Sequence, residues 1–156
     1  MPSPLPSPKP LSPNAPASAR AKNNAYVLDS YALLALLQKE KGQAQVAALI
    51  AQTQENNATL YLSLINWGEI LYIVQREQGA RVAEVLMQDI DRLPIALMQV
   101  DRARVAAAAR IKGAFAVSYA DAFAIALAQE LDATIVTSDP EFKSIEKLVS
   151  VLWLER

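Results

Sequence analysis

Four carboxylates in this sequence lie where an unpaired charge is costly. One follows a β-rich run and precedes an apolar helical stretch, a second ends another β-rich run, and two are the only charges in long apolar stretches. Burying a lone carboxylate costs several kcal/mol unless a partner or a cation compensates it. These first candidates for chemistry are Asp29, Asp139, Glu69 and Asp121.

Each acid also has a local structural explanation. Asp29 and Asp139 are suitable helix N-caps, the latter with Pro140 at the first helical position, and Ser118 with Asp121 has the S-x-x-D spacing of a capping box. Taken together, the acids fit a shared site better. The ligand crevice of a parallel α/β sheet lies outside the carboxyl ends of its strands, and we expect all four acids at that edge.

Two absences limit the chemistry of such a cluster, because the sequence contains no His and no Cys. They exclude disulfides, thiolate nucleophiles, imidazole bases and zinc sites of the Cys/His type. Clustered carboxylates raise one another's pKa unless a cation is present, and an all-oxygen ligand set selects hard ions such as Mg²⁺ or Mn²⁺. The predicted reaction is metal-assisted hydrolysis of a phosphodiester, with one ion or two.

The elements that must position these acids alternate between short β-rich runs and longer helical stretches. The predicted strands are 26–28, 59–63, 95–100, 134–137 and 149–154. The predicted helices are 30–38, 43–54, 64–78, 82–92, 102–112, 118–131 and 142–146. This alternation predicts an α/β fold with three α/β/α layers and a mostly parallel, five-stranded sheet.

Residues 1–24 are predicted to form a disordered Pro/Ser-rich tail, because seven of the nine prolines lie between Pro2 and Pro16. The tail carries three cations and no acid, which suits a targeting segment or an RNA-contacting arm, but a solubilising tail or a mis-assigned start codon explains it more simply. The whole chain carries −1 and the tail +3, so residues 25–156 carry −4. That mildly acidic balance gives no electrostatic indication of nucleic acid.

The 156 residues have the usual size of one domain. No apolar run approaches the roughly 20 residues of a membrane span, so we expect no membrane partner. The absence of Cys is compatible with a cytoplasmic protein.

The four acids stand in four short segments that run in order through residues 26–154. These segments are Tyr26-Val27-Leu28-Asp29-Ser30, Asn66-Trp67-Gly68-Glu69, Ser118-Tyr119-Ala120-Asp121-Ala122 and Thr137-Ser138-Asp139-Pro140-Glu141-Phe142. In order and spacing they resemble the PIN-domain nucleases, most closely the VapC-like ribonuclease toxins of type II toxin–antitoxin pairs. The resemblance implies a Mg²⁺- or Mn²⁺-dependent endoribonuclease that acts on RNA as a homodimer. It also implies a cognate antitoxin that occupies the acidic groove.

The same resemblance assigns roles to individual residues. Asp29, Glu69, Asp121 and Asp139 become the catalytic acids; Asp29 and Asp121 bind the metal directly, Asp139 binds it directly or through water, and Glu69 orients a water on the metal. The small polar residues that match supporting positions are Ser30, Asn66, Ser118 and Thr137. They are candidate hydrogen-bond donors to these carboxylates, or else ordinary caps and turn residues.

Four further residues have two interpretations each. Arg110 and Lys112 precede the Gly113 loop that leads to Asp121, so they are candidates for RNA phosphate contacts, although a helix C-terminus favours cations anyway. Trp67 and Tyr119 are able to stack on unpaired bases. Core or dimer packing is the simpler expectation, because both lie in apolar helical runs.

Three functions are compatible with these patterns. The first is the ribonuclease toxin, and the alternative is a catalytically weak PIN-like domain that binds a partner or RNA. The third is an α/β phosphatase or phosphotransfer receiver that uses Asp29. Ser30 and Tyr31 stand where one such phosphatase class has its D-x-D spacing, which ranks the third function low.

Overall fold

The structure is a computed structural model that describes residues 24–156. The predicted tail therefore lies outside the described residues except for Asn24. The Asn24 carbonyl accepts a hydrogen bond from the Thr59 amide at 2.9 Å, and the Asn24 side chain donates to the Asn57 carbonyl at 2.9 Å. Asn24 is thus joined to the folded domain.

Five strands alternate with six α-helices along the described chain. The strands are β1 (Ala25–Leu28), β2 (Thr59–Ser63), β3 (Ile95–Met98), β4 (Thr134–Thr137) and β5 (Val151–Trp153). The helices are α1 (Ser30–Leu37), α2 (Gln43–Gln54), α3 (Leu64–Gln78), α4 (Ala80–Asp91), α5 (Arg102–Ala114) and α6 (Tyr119–Leu131). The predicted helix 142–146 is a 3-10 helix, Pro140–Ile145, and the strand predicted over 149–154 is shorter. The fold class is confirmed.

The sheet has the order β3-β2-β1-β4-β5, and all four strand pairings are parallel. The chain leaves the central strand β1 toward β2 and β3, then crosses to the other side of β1 for β4 and β5. The order therefore reverses between β1 and β4, and the crevice for a ligand opens at the carboxyl ends of these two strands.

Two apolar cores cover the two faces of this sheet, which gives the three layers. In β1, Val27 packs against α5 and α6 while Leu28 packs against helices α1 to α4. In β4, Ile135 and Val136 divide between the same two cores. Successive strand residues point to opposite faces, so both faces must be apolar when helices cover both.

Side-chain caps hold the starts of three helices at the carboxyl edge of the sheet. Asp29 caps α1, Ser63 caps α3 by accepting from the Ile65 amide, and Ser118 caps α6 by accepting from the Asp121 amide. A capping oxygen pairs one of the amides that a helix start leaves free. The first turns of α1, α3 and α6 therefore face the crevice.

Among the described residues, no single helix is long and apolar enough to cross a membrane. The pair α5 and α6 meets that test of length and composition jointly, but the chain bends by 116° between them.

Phe142 attaches the 3-10 helix to the domain, because its ring is fully buried in the core beneath α6. We expect Phe142→Ala to lower the free energy of unfolding by about 3–5 kcal/mol. Urea unfolding checks this value, with the exposed Val85→Ala as the control that changes it by less than about 0.5 kcal/mol. Equal effects of the two substitutions would contradict the anchoring role.

Candidate active site

Asp29 lies at the switch point of the sheet and is fully buried. Its Oδ1 accepts from the Ala32 amide at 2.6 Å, and its Oδ2 accepts from the Thr137 hydroxyl at 2.5 Å. Its own amide donates to the Val136 carbonyl at 3.2 Å. Asp29 is therefore both the N-cap of α1 and a link between the ends of β1 and β4.

Thr137 connects Asp29 to the next acid along the crevice. Its buried hydroxyl donates to Asp29 and accepts from the Asp139 amide at 3.0 Å. Asp139 in turn accepts from the Glu141 amide through its Oδ1 at 2.9 Å, which starts the 3-10 helix. One hydroxyl thus sets the relative positions of two predicted site acids.

Asp121 lies in the first turn of α6 and is only 6% exposed. One carboxylate oxygen each of Asp121, Asp139 and Glu141 lies within 4.8 Å of the other two. Two of these acids were predicted, whereas Glu141 was not. The sequence feature that could have identified Glu141 is its place two residues after Asp139, because the turn at Pro140 brings it back to the same edge of the sheet.

Glu69 is held by Ser30, the first residue of α1. The Ser30 hydroxyl donates to Glu69 Oε2 at 2.5 Å and accepts from the Asn66 side-chain amide at 3.0 Å. The same amide group lies 3.4 Å from the Ala120 carbonyl on α6. Ser30 and Asn66 therefore join α1, α3 and α6 around the acids. Within the described residues, Asn66 Oδ1 is buried without a hydrogen-bond partner.

Two of the acids have strongly raised pKa values. Burial, with smaller contributions from Asp121 and Asp139, raises the pKa of Asp29 to about 7 against the lowering effect of its hydrogen bonds. Burial, with Glu69 and Asp139, raises the pKa of Asp121 to about 6 against the hydrogen bonds from Ser118. Negative charge at this edge is thus undercompensated by the protein, and a cation there would favour the ionised acids.

The predicted RNA-contact residues, Arg110 and Lys112, are exposed on α5. Within residues 24–156 neither forms an ion pair with an acid of the site, and their role stays a prediction. Trp67 is partly buried against the core, as expected. Tyr119 does not pack in the core, because it is 47% exposed, although its ring lies edge-to-face with that of Phe123. Dimer packing and base stacking by Tyr119 stay predictions.

The chain belongs to the PIN-domain family, whose model matches residues 26–148. The resemblance inferred from the four acidic segments is therefore confirmed. No curated protein sequence matches the chain significantly.

Several solved structures of toxin–antitoxin systems share this fold. VapBC2 from Rickettsia felis, bound to a DNA fragment from its promoter, has 16% identity and a TM-score of 0.65, covering 84% of this chain and 99% of its own. DNA-bound VapBC from Salmonella typhimurium has 14% identity and a TM-score of 0.64, covering 82% and 96%. VapC20 from Mycobacterium tuberculosis, described as a Sarcin-Ricin loop cleaving toxin, has 15% identity and a TM-score of 0.60, covering 76% and 93%. At these identities the likeness shows the shared fold.

The raised pKa of Asp121 predicts a pH dependence of stability in the metal-free protein. Between about pH 4 and pH 6 the folded state binds more protons than the unfolded state, so the free energy of unfolding falls as pH rises through this range. We expect Asp121→Asn to remove about 2 kcal/mol of the fall between pH 4.5 and pH 7.5. Urea unfolding in EDTA at about pH 4.5 and pH 7.5 checks it, and an unchanged slope would contradict the assignment.

Proposed function

We propose that the protein is a metal-dependent endoribonuclease that hydrolyses RNA phosphodiester bonds as the toxin of a toxin–antitoxin pair. The single observation that carries this proposal is the convergence of five carboxylates on the switch-point crevice of a PIN domain. These acids are Asp29, Glu69, Asp121, Asp139 and Glu141.

The residues present fit a hard divalent cation. One carboxylate oxygen each of Asp121, Asp139 and Glu141 lies within 4.8 Å of the other two. In an octahedral Mg²⁺ site with ligands at about 2.1 Å, adjacent ligands lie about 3.0 Å apart and opposite ones about 4.2 Å apart, so these side chains would draw together around a bound ion. The donors are all carboxylate oxygens, which suit Mg²⁺ or Mn²⁺. The raised pKa of Asp121 is a further sign of charge that a cation would neutralise.

We assign Asp121, Asp139 and Glu141 as direct ligands, and Asp29 as a ligand whose orientation Thr137 sets. A bound ion would polarise a phosphoryl oxygen and lower the pKa of the attacking water. Ser30 fixes one oxygen of Glu69, and the other oxygen is assigned to orient that water. Asn66 and Ser118 hold the helices that carry Glu69 and Asp121.

The proposal also includes an RNA substrate and protein partners, which the fold alone does not show. Support for RNA comes from VapC20, whose name describes cleavage of the Sarcin-Ricin loop. Support for a cognate antitoxin comes from the VapBC complexes that share the fold. A homodimer in the cytoplasm completes the proposal.

One observation favours the alternative of a catalytically weak binding domain. Both oxygens of Asp29 are already hydrogen-bonded inside the protein, and its pKa of about 7 reduces its charge at neutral pH. A domain in which Asp29 stayed protonated would bind RNA or a partner without efficient cleavage. Cleavage assays separate the two functions.

We expect the full-length protein to cleave structured RNA with Mg²⁺ or Mn²⁺ and to stop when EDTA is added. Asp121→Asn should lower the rate by at least about 100-fold, because it removes a ligand from an ion that supplies several kcal/mol of transition-state stabilisation. The matched control is Asp91→Asn, an exposed acid at the end of α4, which should cleave at the wild-type rate. RNA binding without metal-dependent cleavage would favour the alternative, and equal rates for the two variants would contradict the site.

A further inference from the structure

A groove lies beside Glu69, outside the group formed by Asp121, Asp139 and Glu141. It has a volume of about 410 Å³ and lies between the N-terminal half of α3 and the start of α6. Its lining includes Gly68, Glu69, Tyr72, Ser118 and Tyr119. The groove is therefore continuous with the site proposed to cleave RNA.

Three exposed tyrosines surround this part of the molecule. Tyr31, Tyr72 and Tyr119 are 50%, 53% and 47% exposed. Tyr72 and Tyr119 line the groove, and the pKa of Tyr31 is raised by partial burial and by the nearby Glu69 and Tyr72. The other two tyrosines of the sequence pack against the cores. Single exposed apolar residues are ordinary, whereas a cluster at one site indicates a contact surface.

Gly68 keeps the floor of the groove open. It lies inside α3, where glycine weakens a helix relative to alanine. A Cβ at this position would meet no atom within 4 Å, and the backbone of Gly68 is not in the left-handed region. Neither packing nor backbone conformation requires glycine here. Its effect is to let a ligand approach the helix backbone closely.

Along α3, an acid, an aromatic ring and a cation follow one another in an order that suits the binding of a nucleotide. Glu69, Tyr72 and Arg76 follow one another at helical spacing on one face, and the Arg76 guanidinium lies 5.8 Å from the centre of the Tyr72 ring. This order places a carboxylate at the cleavage site, an aromatic ring beside it and a cation beyond the ring. Aromatic rings stack on bases, and arginine pairs with phosphates.

We propose that this groove binds an unpaired nucleobase of the RNA strand, stacked on Tyr72 and Tyr119, next to the phosphodiester that the acidic cluster cleaves. The inference rests on the proposed nuclease function and deepens it. Stacking on aromatic rings tolerates every base but needs the base out of a duplex. The groove therefore selects single-stranded or looped RNA over paired RNA.

The test measures the affinity of the full-length Asp121→Asn protein with Mg²⁺ for a short labelled single-stranded RNA and for the same sequence in a duplex. In this Asp121→Asn parent, the further substitution Tyr72→Ala should weaken the affinity for single-stranded RNA by about 5- to 150-fold. Tyr72→Phe, which keeps the ring, should retain the affinity. Tyr119→Ala and Gly68→Leu should weaken it too. The matched control is Val85→Ala, a 55% exposed residue on α4, which should bind like the parent. Thermal unfolding shows whether each variant is folded.

Parent-like RNA affinity in folded Tyr72→Ala, Tyr119→Ala and Gly68→Leu proteins would overturn the inference. So would a loss of self-association or of partner-protein binding with unchanged RNA affinity, because the groove would then be a protein interface. Cleavage by the protein with Asp121 intact, measured in parallel, separates the two claims. If the protein cleaves RNA but the groove variants bind RNA like the parent, only the proposed role of the groove is overturned. If the protein cleaves RNA with none of the divalent ions tested, the proposed nuclease function is overturned.

Discussion

The structure depends on holding several carboxylates together in a poorly solvated crevice against their mutual repulsion. Asp29 and Asp121 are almost fully buried, and the charges of Asp121 and Asp139 add to the cost of ionising Asp29. The fold offsets this cost only in part, through hydroxyl and amide donors from Ser30, Thr137 and the helix starts. The remaining negative charge of these carboxylates is what a divalent cation in the crevice would neutralise.

The same hydrogen bonds build the fold and orient the site. Asp29 caps α1 with one oxygen and accepts from Thr137 with the other, so that β1, β4 and α1 meet at one carboxylate. Asp139 caps the 3-10 helix that brings Glu141 to the cluster. Asp139 therefore caps a helix and belongs to the acidic cluster at the same time, although a cap and a site residue are alternatives when each motif is considered alone.

The sequence predicted the elements well because apolar runs and helix stops mark them clearly. It also identified the acids that lie in apolar surroundings, such as Asp29 and Asp121, because an isolated charge there needs an explanation. It missed Glu141, which is exposed and followed by Lys143, and so has the pattern of an ordinary solvated turn. It left the place of Tyr119 open between core, dimer and base contacts, because an apolar run does not show which of its residues faces a groove. Strand order depends on long-range pairing, which no local pattern contains.

The proposed function requires that the acids at the carboxyl ends of β1 and β4 bind a divalent cation. Calorimetric titration of the full-length protein with Mn²⁺ tests it directly, using Asp121→Asn, Glu141→Gln and, as the control, Asp91→Asn. We expect saturable binding to the wild type and the control, and affinities at least about 10-fold weaker for the two site variants. Equal affinities for all four proteins, or no binding to the wild type, would contradict it.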